Sequence, residues 1–174
     1  MNKNYLIITD DTCDLPMSIC KDNNVHIVSL TYSISGVEYN SGNFLTVEEF
    51  YAKMRNGEKA VTSQITPGEY ESAFEKVINE GYDILYIAFS SGLSGSCNSA
   101  KIASQTLCEK YPDSKIIVVD SLCASLGEGL LVYKAIEMKK QGKSIEELAE
   151  WLEANKLHLC HMFTVDDLMH LHRG

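Results

Sequence analysis

A chain of 174 residues, 45% hydrophobic and 22% charged, is long enough for one α/β domain with its own core, and its composition excludes disorder. Lys and Arg number 15 against 24 Asp and Glu, a net charge of −9, which repels a phosphate backbone and argues against nucleic acid as a partner. No apolar run reaches the roughly 20 residues of a membrane helix, and the first apolar stretch ends in Asp10-Asp11 and not in small cleavable residues, so a cytoplasmic protein is expected.

Hydrophobic runs and helix caps alternate along the chain. Tyr5 to Thr9 reads as a buried strand, its unbroken apolar run suiting a parallel sheet covered on both faces. Pro16 opens a short helix, where a missing N–H costs nothing. Val25 to Ile34 reads as extended, and Ser35-Gly36 turns it into Val37-Glu38-Tyr39 as a hairpin. Thr46-Val47-Glu48-Glu49 is a capping box that starts a helix with Phe50 and Met54 on one side.

The second half repeats the rhythm. Val61-Thr62-Ser63-Gln64 reads as a hydroxyl-rich turn. Thr66-Pro67-Gly68-Glu69 is a capping box whose helix ends at Gly81. Asp83 to Phe89 is a strand, Ser96 to Lys110 a helix stopped before Pro112, and Lys115 to Asp120 a strand. A helix follows from about Gly127 to Gln141, Ser144 caps one more, and Leu157 to Thr164 reads as the last strand. Strands alternating with helices predict a doubly wound, mostly parallel sheet with helices on both faces, in one domain.

In such a sheet, ligands sit beyond the carboxyl ends of the strands, where loops meet helix N-termini. Two segments there carry hydroxyls: Ser90-Ser91-Gly92-Leu93-Ser94-Gly95-Ser96 and Val61-Thr62-Ser63-Gln64. Two glycines permit close approach of backbone N–H groups, and a helix N-terminus favours negative charge. These features fit an anion cradle, and they also fit plain turn and capping chemistry. Gly92-Leu93-Ser94-Gly95-Ser96 falls one glycine short of the Gly-x-Ser-x-Gly elbow of a serine acyl hydrolase, with Asp120 and then His158 or His161 downstream in that order. No dinucleotide or P-loop glycine pattern occurs. His158 and His161 fall three apart on the expected strand and would face opposite sides, so no metal site is expected. The six cysteines form no Cys-x-x-Cys pair and read as small core residues.

Four segments in order resemble the DegV family: Thr9-Asp10-Asp11-Thr12-Cys13-Asp14-Leu15-Pro16, Thr62-Ser63-Gln64-Ile65-Thr66-Pro67, Ser90-Ser91-Gly92-Leu93-Ser94-Gly95, and Val119-Asp120-Ser121 with the small residues through Gly127 and Gly129. Asp11 departs from the family's usual Ser, and Ser96-Cys97 from its frequent Thr-Tyr. The resemblance implies a two-domain protein holding a long-chain fatty acid between its domains, with residues 1–165 as the first domain and 166–174 as the start of the crossing to the second. It implies no cofactor and no catalysis by this chain. Thr62 and Ser94 are implied to grip the carboxylate, with Ser63, Ser91 and Gly95 beside them and Cys97, Asp120 and Ser121 as pocket lining. The implied partner is a separate ATP-binding fatty acid kinase subunit that phosphorylates the presented carboxylate, with transient membrane contact for lipid exchange. A hydrolase, or a generic small-carboxylate or phosphate binder using the same loops, is the alternative.

The physics of such a ligand divides the work. A sixteen-carbon tail has roughly 14 methylenes at ~0.8 kcal/mol each, about 11 kcal/mol if fully buried. One charge-assisted head-group bond is worth about 1.5–3 kcal/mol. The tail would supply affinity, and the hydroxyls would fix which end faces out.

Overall fold

Six continuous buried residues, Tyr5–Asp10, form strand β1, and Asp83–Ala88 form the equally buried β6. Such runs are stable only at the centre of a sheet packed on both faces. The computed structural model, which describes residues 4–40, 42–162, 164 and 168, places them there. β2 (His26–Val28), β1, β6 and β7 (Ile116–Asp120) lie in that order, all parallel. Alternate residues of the central strands point to opposite layers. Ile7, Leu85 and Ile87 join α1 (Met17–Asp22), α5 (Leu126–Lys140) and α6 (Ile145–Asn155) on one face. Leu6, Ile8, Ile84 and Tyr86 join α3 (Pro67–Asn79) and α4 (Ser96–Lys110) on the other. This is the doubly wound sheet that the pattern predicts.

The chain runs from β1 to β2 on one side, then returns to β6 on the other side of β1. The carboxyl ends of β1 and β6 therefore flank the point where strand order reverses, the place where such sheets open a crevice. Register brings Thr9 beside Ile87 and Ala88 beside Asp120, so Asp10, Phe89 and Asp120 reach one edge together.

A second, antiparallel sheet rises between β2 and α3. β4 (Val37–Tyr39), β3 (Thr31–Ile34) and β5 (Ala60–Ser63) pair in that order, and α2 (Val47–Arg55) connects β4 to β5. The expected hairpin at Ser35-Gly36 is present, with both residues at positive φ. The segment read as a turn is instead a strand through Ser63, with Thr62 opposite Tyr32. Val61, Thr62 and Ser63 are all exposed, so no apolar alternation announces the strand; pairing with β3 creates it.

The last expected strand is also corrected. α6 runs into a 3-10 turn at Lys156–His158, and residues 159–162 and 164 are irregular. Leu157 and Met162 are 75% and 92% exposed, while Leu159 packs on the core. Among the described residues, the apolar alternation there packs Leu159 on the core and joins no strand. Phe163 lies outside the described residues, as does the expected crossing at 166–174 apart from Leu168.

Candidate functional site

The Ser90–Gly95 loop is built from its own hydroxyls. The Leu93 and Ser94 amides donate to Ser90 O at 3.0 and 3.1 Å, and the Gly92 amide donates to Ser90 Oγ at 3.2 Å. Ser90 is itself held by its amide on Cys123 O at 3.0 Å. The Ser91 and Leu122 amides both donate to Asp120 Oδ1 at 3.1 Å. Burial raises the Asp120 carboxyl, but the Ser91 hydroxyl and these two amides outweigh it, with help from Lys156, and the group ends below its ordinary range. Asp120 thus anchors two loops.

The loop then turns into α4. The Ser96 amide donates to Ser94 Oγ at 3.2 Å, and the two hydroxyl oxygens lie 3.0 Å apart. Ser96 Oγ, almost wholly buried, also accepts the Ile65 amide at 3.1 Å. This bond ties the end of the Thr62-Ser63-Gln64-Ile65 segment to the serine loop. The Gln64 side chain crosses directly over Gly95, where any added Cβ would come within 2.0 Å of Gln64 Oε1. Two hydroxyl-bearing segments 31 residues apart therefore meet at the head of α4.

Beneath this lies a buried acidic network. Asp10 Oδ2 accepts the Tyr86 hydroxyl at 2.9 Å and the Phe89 amide at 3.0 Å. Its Oδ1 accepts the Thr12 amide at 3.2 Å and bonds the Thr12 hydroxyl. Its two oxygens thus take four contacts from three residues. Tyr86 OH continues to Tyr70 OH at 2.6 Å. On the other side, Glu128 from α5 is fully buried, with Thr9 Oγ1 at 2.8 Å and Thr12 Oγ1 at 3.0 Å. Burial, then the Asp10 charge, pushes the Glu128 carboxyl up to about 9 against the opposing Thr9 and Thr12 bonds. Thr12 has one hydroxyl proton for two acids; with Glu128 protonated, Glu128 donates to Thr12 and Thr12 to Asp10.

The expected site residues fall into two groups. Thr62, Ser63, Ser91 and Gly95 are exposed and Ser94 half-buried, all on or beside the two joined segments. Ser121 is fully buried, closing a turn with Cys123, and Cys97 is fully buried in the α3–α4 core, where burial pushes its thiol up. For the hydrolase arrangement, the Ser94 hydroxyl pairs with Ser96, and Asp120 pairs with Ser91 and Leu122. Among the described residues no histidine hydrogen-bonds to either. No described cluster of His, Cys, Asp and Glu could hold a metal, and no described helix is long and apolar enough to cross a membrane.

Reading the sequence for motifs misses Asp10, Glu128, Tyr70 and Tyr86 as site-supporting residues, and takes Ser96 only as one of the loop's hydroxyls. Signals mark the two acids alone: an acid closing an apolar strand run, and a glutamate between Gly127 and Gly129 in a helix. Both glycines are crowded; a Cβ on Gly129 would lie 2.4 Å from Cys13 O, and one on Gly127 3.0 Å from the His161 ring. Near the loop, Leu93, Leu126, Leu130, Leu159 and Met162 line an apolar cavity of about 530 Å³.

A family model described as "Uncharacterised protein, DegV family" matches residues 4–174. A DegV domain-containing protein of Clostridium perfringens is 49% identical over 99% of this chain and 60% of its own length. The crystal structure of DegV, a fatty acid binding protein from Bacillus subtilis, superposes with a TM-score of 0.84 at 28% identity, over 99% of this chain and 60% of that one. The fatty acid kinase B3 protein of Streptococcus pneumoniae, loaded with linoleic acid, gives 0.71 at 29% identity, over 88% and 54%. The chain spans about 60% of the length of the curated relatives it matches.

Proposed function

This chain belongs to the DegV family, and from that premise we propose that it binds the carboxylate end of a long-chain fatty acid and presents it to a separate ATP-dependent kinase. The observation that carries the reading is the junction at α4, where the Ile65 amide on Ser96 Oγ and Gln64 across Gly95 hold the Thr62 and Ser94 segments together. Thr62 and Ser94 supply the donors, with Ser63, Ser91 and Gly95 framing them. The apolar cavity beginning at Leu93 offers one wall for the tail. Similarity to the Bacillus fatty acid binding protein and to the linoleate-loaded Streptococcus protein supports both ligand class and role. Residues 1–165 act as the first of two domains, 166–174 lead into the second, and the protein works in the cytoplasm with brief membrane contacts for lipid exchange.

The test uses fluorescent fatty acid titration and acyl-phosphate formation with an ATP-binding kinase subunit. In a protein carrying this chain with a second DegV domain, Ser94→Ala weakens binding modestly, by about 1.5–3 kcal/mol for one charge-assisted bond. Acyl-phosphate formation falls further than binding, because a head group no longer held in place is a poorer nucleophile. Equal losses in both would remove the presenting role.

A further inference from the structure

Helix α2 has an apolar side that the fold does not bury. Its nine residues start from a complete capping box, yet none of them is buried. A helix this short draws its stability from packing. Its uncovered side chains open onto a cavity of about 420 Å³ between α2, β3 and the turn after β1, which shares no lining residue with the cavity at Leu93 or with the two head-group segments. Tyr32 and Tyr51 each meet Phe50 edge to face, with ring centroids 5.4 Å apart and planes at 86° and 87°. Tyr39 stacks on Tyr32 at 5.2 Å, and Tyr32 Oη accepts the Leu45 amide at 3.0 Å, so that wall is fixed twice. Phe44, 71% exposed, adds a fourth ring to the lining.

Asp11 and Asp14 are the only charged side chains of the lining. Asp11 Oδ1 accepts the Leu30 amide at 3.1 Å, and Asp14 Oδ2 accepts the Ser125 hydroxyl. Neither carboxylate has an ion-pair partner among the described residues. Four rings and two acids, with no base, define an occupant by its chemistry. A purely apolar molecule would strip water from the carboxylates and return nothing. A bare divalent ion needs a shell of oxygens, and no described group of side chains offers one. An organic cation suits both halves, because its apolar surface covers the rings while its charge meets ring faces and carboxylates. We propose that this cavity binds a small organic cation of the quaternary ammonium type, held by Tyr32, Phe50 and Tyr51 and neutralised by Asp11 and Asp14. The site is separate from the carboxylate grip and independent of the fatty acid reading.

The experiment is an NMR titration of the 174-residue chain with choline chloride, beside the neutral alcohol in which a tert-butyl group replaces the trimethylammonium. The two probes match in shape and differ in charge. Choline should shift the ring signals of Tyr32, Phe50 and Tyr51 along one saturation curve, and sodium chloride at equal concentration should not. Choline should also bind about tenfold tighter than the alcohol, the worth of a partly desolvated cation–π contact. Phe50→Leu and Asp14→Asn should each narrow that gap by weakening choline and sparing the alcohol. If neither variant folds, the two probes on the wild type decide. Equal binding of both probes, choline shifts confined to other residues, or no saturable shift would overturn the site. A lipid head group can present the same cation, so phosphatidylcholine vesicles are added to the choline-loaded chain. Loss of the choline shifts would assign the cation to a membrane source, and their persistence to a soluble one.

Discussion

Glu128 is a carboxyl group that the folded chain keeps protonated and the unfolded chain does not. Its folded value of about 9 stands against an ordinary 4.5. The folded state therefore holds one more proton between those limits. The stabilisation is fully present below about 4.5 and is lost as pH rises toward 9, by at most about 1.4 kcal/mol per pH unit. Glu128→Gln keeps the shape: the amide oxygen accepts from Thr9 and the amide nitrogen donates to Thr12, as the protonated acid does. Thermal melts at pH 5, 7 and 9 should show the variant gaining on the wild type as pH rises. Parallel pH profiles would mean that Glu128 is ionised in the fold. The thiols make a second residue-level case. Cys13, Cys20, Cys97 and Cys123 are buried, and burial raises all four, Cys13 to about 12. Cys160 is exposed. Maleimide treatment of the native chain, read by mass spectrometry, should modify Cys160 first and leave those four untouched; early labelling of Cys97 would show the α3–α4 core opening.

At the scale of elements, close approach decides more than propensity. Gly129 lies inside α5, where alanine would ordinarily help by about 0.8–1 kcal/mol. Its missing Cβ makes room for the Cys13 carbonyl, which belongs to backbone and cannot step aside. Gly129→Ala should therefore destabilise by about 1–3 kcal/mol in a denaturant melt, as overpacking does; a stabilised variant would show that the turn after β1 can shift. The same contrast explains what was legible in the sequence. The helices announce themselves through local chemistry: the capping boxes at Thr46, Thr66 and Ser144 are all formed, and the buried runs of β1 and β6 fix the sheet. β5 is not legible, because three exposed residues become a strand only when Tyr32 and its neighbours pair with them. The strand read over Leu157 to Thr164 errs the other way, its described residues forming a 3-10 turn and irregular chain. In the site, the serine and threonine motifs stand out as strings. The buried network of Asp10, Tyr86 and Tyr70 does not, since those residues are separated in sequence and brought together by the fold.

For the molecule as a whole, the proposed ligand would draw its affinity from the tail and its direction from the head. The apolar side chains beside the serine loop are exposed, Leu93 by 69% and Leu126 by 62%, so a tail lying along them gains up to ~0.8 kcal/mol per methylene it buries. Affinity should rise steadily from octanoate to palmitate, and Leu126→Asp should flatten that rise while leaving octanoate nearly unchanged. The net charge of −9 opposes the same anion at long range, so raising ionic strength should speed its association.

We propose that Thr62 and Ser94 together hold a fatty acid carboxylate, and carboxyl-labelled palmitate reports on that atom directly. In a protein that joins this chain to a second DegV domain, the bound carboxyl carbon should give a single NMR resonance displaced from free palmitate. Thr62→Val combined with Ser94→Ala should move or broaden that resonance while the tail remains bound. A bound resonance identical in the wild type and the double variant would mean that the carboxylate lies elsewhere, and that the junction at α4 is structural alone.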